Sequence, residues 1–119
     1  MKQDGGVKRR AQAPSFDVKG TPFGAYDEAI VRAVTDHWYS LIDRQNSIRG
    51  TGKVTVEFRL LYNGEITDMK VVENTVDELL SYLCQRAILD PKPYAPWPSD
   101  MRRLVGADYR EVKFTFYYN

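Results

Sequence analysis

The sequence predicts an α+β domain of two layers: a three-stranded antiparallel sheet with two helices on one face, in the order α-β-β-α-β. Three observations predict it. Residues 26–42 and 76–88 place apolar side chains every three or four positions, residues 52–72 hold two strand-like runs around Asn63-Gly64, and residues 109–118 alternate with a period of two. Elements with a single apolar face must bury it against one another, and two packed layers do so. With 119 residues, 43% apolar and 28% charged, the chain has the size and composition of one soluble globular domain.

Residues 1–22 mix Gly, Pro, Gln and charges without periodicity and read as a flexible tail or linker stub, leaving residues 23–119 as the domain. Residues 1–20 carry five basic and two acidic groups, whereas the whole chain is only +1, so the positive charge belongs to the tail. The first helix places Tyr26, Ile30, Ala33, Val34, His37, Trp38, Leu41 and Ile42 on one side. Asp27 and Glu28 at its start suit the helix dipole, and its end is expected near Gln45.

Asn63-Gly64 is the preferred pair for a two-residue type I′ turn, in which both positions take positive φ. That turn would set Leu60 opposite Thr67, Phe58 opposite Met69 and Val56 opposite Val71, with Leu61 opposite Ile66. It would also join Glu57 to Lys70 and Arg59 to Asp68, giving one buried face and one ion-paired face. Thr75 and Glu78 stand at capping-box spacing ahead of the stripe Val76, Leu79, Leu80, Leu83, Cys84, Ala87 and Ile88. Pro91 stops that second helix. The string PKPYAPWP then wraps the surface as extended chain, and Ser99 caps a short turn that Gly106 ends. In the last strand Val112, Phe114, Phe116 and Tyr118 share one face, and Lys113, Thr115 and Tyr117 the other.

Chemistry has little to work with. His37 is the single histidine and Cys84 the single cysteine, so there is no ligand set for a metal, no nucleophile–base pair and no intrachain disulfide. Phosphate-cradling glycine motifs, a nucleophile elbow and a zinc-protease signature are all missing. The reading is therefore a protein without enzymatic activity, cofactor, metal or catalytic residues. A near-neutral domain with Lys113 alone beside the aromatics of the last strand gives no nucleic-acid site. No run approaches the ~20 apolar residues of a membrane span, and no signal-peptide pattern opens the chain. Any membrane attachment is thus expected to lie outside this chain.

What remains is an interaction surface. The last strand must flank the hairpin and is expected to be an edge, with one Lys, no Pro and no internal Gly to protect it. Strand addition by a partner is the use such an edge suits, unless the proline-rich loop or the N-terminal tail covers it.

In order along the chain, YDEAIVRAVTDHWY, GKVTVEFRLLYNGEITDMKV, LLSYLCQRAI and PKPYAPWP resemble the leading helix, hairpin, second helix and proline-rich stretch of the C-terminal domain of the TonB/TolA family. The likeness runs from about Tyr26 to Tyr118 and is nearer to TolA-like members. It departs at Asn63, where the family favours Asp, at Thr55, near where some members carry a cysteine partner for Cys84, and in the ENTVDE string after the hairpin. The resemblance implies a periplasmic end of a cell-envelope energy transducer, tethered to the inner membrane in a longer protein. Its partner would be a segment of an outer-membrane receptor or a Tol-type envelope protein. The docking edge would be Lys113, Phe114, Thr115, Phe116, Tyr117 and Tyr118. The alternative is a structural module that uses the same edge to form a homodimer.

Overall fold

Every alternating or helical segment read from the sequence forms its element, and one further strand joins them. A computed structural model of the chain describes residues 11–18, 23–45 and 51–119. The elements are β1 (Ala11–Val18), α1 (Gly24–Asp43), β2 (Gly52–Leu61), β3 (Ile66–Asn74), α2 (Glu78–Leu89), α3 (Met101–Val105) and β4 (Tyr109–Tyr118). The sheet is antiparallel, in the order β1-β4-β2-β3.

This corrects two expectations. The sheet has four strands, because Ala11–Val18, within the stretch read as a tail, pairs with β4 from Ala11↔Tyr118 to Val18↔Val112. The rest of that stretch, residues 1–10 and 19–22, lies outside the described residues. The last strand is consequently interior: Lys113 to Tyr118 have β1 on one side and β2 on the other. The edges belong to β1 and β3. Eight residues with a proline among them carry a weak strand signal of their own, and the unpaired ladder of β4 is what makes β1 a strand.

The core lies between the sheet and the helices. Ile30, Val34, Trp38 and Ile42 of α1 meet Leu80, Leu83, Cys84, Ala87 and Ile88 of α2 above Val54, Val56, Phe58 and Leu60 of β2. The core-facing row of β4 completes it, with Trp38 edge-on to Phe116 at 5.1 Å and to Tyr118 at 5.4 Å between ring centroids. Burying such aromatics supplies most of the favourable free energy of a domain this small.

The hairpin turn is one residue longer than the sequence suggests. The loop is Tyr62-Asn63-Gly64, closed by the Leu61 N–H on the Glu65 carbonyl (2.8 Å) and the Gly64 N–H on the Leu61 carbonyl (2.9 Å). Gly64 takes the left-handed position (φ 90°), and the Asn63 side chain accepts from the Glu65 N–H at 3.1 Å. The longer loop moves the first pairs to Leu60↔Ile66 and Arg59↔Thr67. A bulge at Asp68, itself at φ 55°, restores the expected Glu57↔Lys70 and Val56↔Val71.

Loop and cap details also differ. Asp77, two residues after Thr75, caps α2 by accepting from the Leu80 N–H at 2.9 Å, while the Thr75 hydroxyl accepts from the Lys53 N–H at 2.8 Å and ties the helix entry to β2. α1 ends at Asp43, two residues before Gln45, and Asp100 rather than Ser99 stands at the N-cap of α3. The proline-rich segment does more than wrap the surface. Tyr94 and Trp97 are buried, and their N–H groups donate to the Gly64 and Tyr62 carbonyls, both at 2.9 Å.

Candidate functional site

The strand singled out by the sequence, β4, is the backbone of the site. Lys113, Thr115 and Tyr117 project from the sheet face opposite the helices, and Phe114, Phe116 and Tyr118 project into the core with 0–2% exposure. The structure therefore brings all six together on one strand, but their main-chain groups are engaged on both sides.

Register on the open face follows charge. Asp17 of β1 is opposite Lys113 of β4, Lys113 is opposite Glu57 of β2, and Glu57 is opposite Lys70 of β3, so one rung crosses all four strands with alternating sign. Lys113 Nζ lies 3.6 Å from Glu57 Oε2, and Arg59 lies 3.7 Å from Asp68. Groups this exposed contribute at most ~1 kcal/mol each; their larger effect is to penalise a two-residue slip of β2 against β4, which would set Glu57 opposite Glu111 or Arg59 opposite Lys113. Next along, the hydroxyls of Thr55 and Thr115 are 3.2 Å apart on the same face. Thr55 thus points away from the core side chain of Cys84.

Inside, β4 is pinned by polar contacts that the sequence only partly signals. The Tyr118 hydroxyl accepts from Trp38 Nε1 at 3.1 Å, donates to the Leu80 carbonyl at 3.0 Å and lies 3.4 Å from Cys84 Sγ. Burial pushes the Cys84 thiol up to about 12, with the Tyr118 hydrogen bond pulling it back only in part, so it is a packed group rather than a nucleophile. At the other end of the strand, Arg110 is 2% exposed and grips Asp27 of α1 with two hydrogen bonds, 2.7 and 3.2 Å. Asp27, which suits the dipole at the start of α1, is thus buried as well, at 7% exposure. Both stand on the apolar periodicity of their elements, Asp27 three before Ile30 and Arg110 two before Val112, which is the signal that finds them.

Among the described residues His37 pairs with an acid of α2's C-terminal end. Its Nε2 lies 2.6 Å from Asp90, which Arg86 also contacts. Partial burial raises the Asp90 carboxyl, and the His37 hydrogen bond and Arg86 outweigh it to hold the pKa below the usual value. The trio ties α1 to the end of α2. Among the described residues no three His, Cys, Asp or Glu side chains converge to hold a metal, and no helix is long and apolar enough to cross a membrane.

Of the two edges, that of β3 is broken by bulges at Asp68 and near Val72, devices that discourage pairing with another chain. β1 carries Pro14, whose ring removes one N–H donor. In comparisons with known proteins, no family model, no curated protein and no solved structure matches this chain significantly.

Proposed function

We propose that the chain is a non-enzymatic interaction domain of the TonB/TolA type, the periplasmic end of a cell-envelope energy transducer that receives a partner segment by strand addition on β4. The observation that carries this reading is the β1–β4 ladder. A short extended segment from outside the hairpin-and-helix body already lies antiparallel along Lys113 to Tyr118. Main-chain bonds supply the attachment and alternate side chains reach the core, as in peptide capture at a sheet edge. The likeness of the helix, hairpin and proline-rich strings to that family supports the same assignment. The partner is a protein segment of an outer-membrane receptor or a Tol-type envelope protein. A foreign strand and a second copy alike would reach β4 only after β1 leaves, so the family likeness, and not the occupied edge, is what favours a foreign strand over a homodimer.

Backbone NMR of the full chain, titrated with terminal peptides from envelope receptors and Tol-type proteins, tests the proposal. Docking predicts amide shifts concentrated on Lys113 to Tyr118 and on β1. Silence of both strands towards every peptide, together with a dimer that forms in their absence, would replace the transducer reading with that of a dimerisation module.

A further inference from the structure

We infer that β1 is a built-in stand-in for the partner, and that the strand which displaces it carries the pattern apolar–acidic–apolar opposite Phe114-Lys113-Val112. This rests on the strand-addition reading and adds to it the chemistry of the ligand. Phe16, Asp17 and Val18 occupy those three registers. Phe16 tilts against Phe114 at 5.2 Å between centroids, and Asp17 continues the alternating rung at Lys113.

Three features mark β1 as replaceable. Among its described side chains only Pro14 is buried, and Phe16 is half-buried against the rim of the core. Its ladder shifts register between Gln12 and Ser15, around a proline that cannot donate. Beside it a solvent-open groove of about 750 Å³ runs between β1 and α1, lined by Phe16, Val18, Val31 and Thr35 and rimmed by charged residues of α1. The Thr35 hydroxyl there is buried with no hydrogen-bond partner among the described residues. A strand with larger apolar groups at the two inward registers fills space that β1 leaves empty.

The full chain tests this, with the eight-residue peptide AQAPSFDV as probe and nitrogen-15 amide shifts as readout. Phe16→Ala and, separately, Asp17→Lys in the chain each weaken β1; the second alters only an exposed side chain and so leaves the core intact. Both variants are expected to bind the peptide about tenfold or more tightly than the parent, the equivalent of ~1.4 kcal/mol. Shifts should centre on Val112 to Thr115. A peptide with Phe in place of its last Val should bind more tightly still, and one with Lys in place of Asp should bind weakly until the chain carries Lys113→Glu. No gain from either folded variant, or a gain by formation of a dimer in which β1 crosses between copies, overturns the inference. If the probe exchanges with β1 but no envelope peptide does, the transducer reading fails and this one stands. If an envelope peptide docks on β3 while the β1 amides stay protected, this inference fails together with the β4 docking site, and the transducer role alone survives with a different edge.

Discussion

At the scale of single residues, the Asp27–Arg110 pair has the largest consequence. Two charges with side-chain exposures of 10% and 1% face each other in a bidentate geometry under the first turn of α1. Removing one partner of such a pair leaves the other buried and uncompensated, at a cost of about 3–5 kcal/mol. Arg110→Met is therefore expected to destabilise the chain by that amount in urea denaturation. The double variant with Asp27→Leu should recover most of it, less the cap that Asp27 gives the Phe23 N–H at 2.8 Å. Equal losses in the single and double variants would show that the pair acts through something other than mutual charge compensation. The pair was open to reading from periodicity, since both residues fall on apolar faces. The habit of assigning every charge to solvent conceals it.

At the scale of elements, what was legible was what is local. Helical spacing in α1 and α2, alternation in β2 and β4, and the Gly106 stop (φ 78°) depend on nearby residues and stand as expected. β1 and the hairpin turn depend on distant ones. The three-residue loop is held from outside by the Tyr94 and Trp97 N–H groups, which no propensity within residues 58–70 encodes. Gly64 is where this shows most clearly. A Cβ there would collide with the Tyr94 carbonyl, and its φ of 90° is unfavourable for any other residue. Gly64→Ala should cost more than ~1 kcal/mol and should loosen the proline-rich loop as well as the turn. Increased hydrogen exchange at Tyr94 and Trp97 would register the second effect. An effect confined to Tyr62–Glu65 would show that the loop holds itself.

At the scale of the whole molecule, the core should set an alkaline limit. Burial raises the phenols of Tyr94 and Tyr118 above their usual range and takes Tyr26 up to about 12, the nearby Arg110 pulling that one back only in part. Phenols and a thiol held neutral in the folded state keep protons that the unfolded chain releases, so they take no stability away at neutral pH. Stability falls as pH rises past the ordinary values, from 9.0 for Cys84 and 10.0 for the tyrosines. In an ultraviolet titration, three of the eight tyrosines should ionise together with unfolding rather than near pH 10. Smooth ionisation of all eight with the fold intact would mean that these phenols are wetter than their packing indicates.

The interior position of β4 also bears on how the chain is made. Of the four strands, β4 is the last in sequence, yet β1 and β2 both depend on it. On a ribosome β1 therefore emerges first and has no neighbour until the final strand follows, roughly 5–20 s later at ~5–20 residues per second. The β2–β3 hairpin can close meanwhile, but the sheet cannot. The longest-range pairing, Ala11 with Tyr118, spans nearly the whole chain, and such distant contacts slow folding because the intervening loop must be closed before they form. During that interval the nascent chain exposes one uncommitted strand and the unpaired side of another, the state in which a chaperone or a neighbouring copy has most to bind.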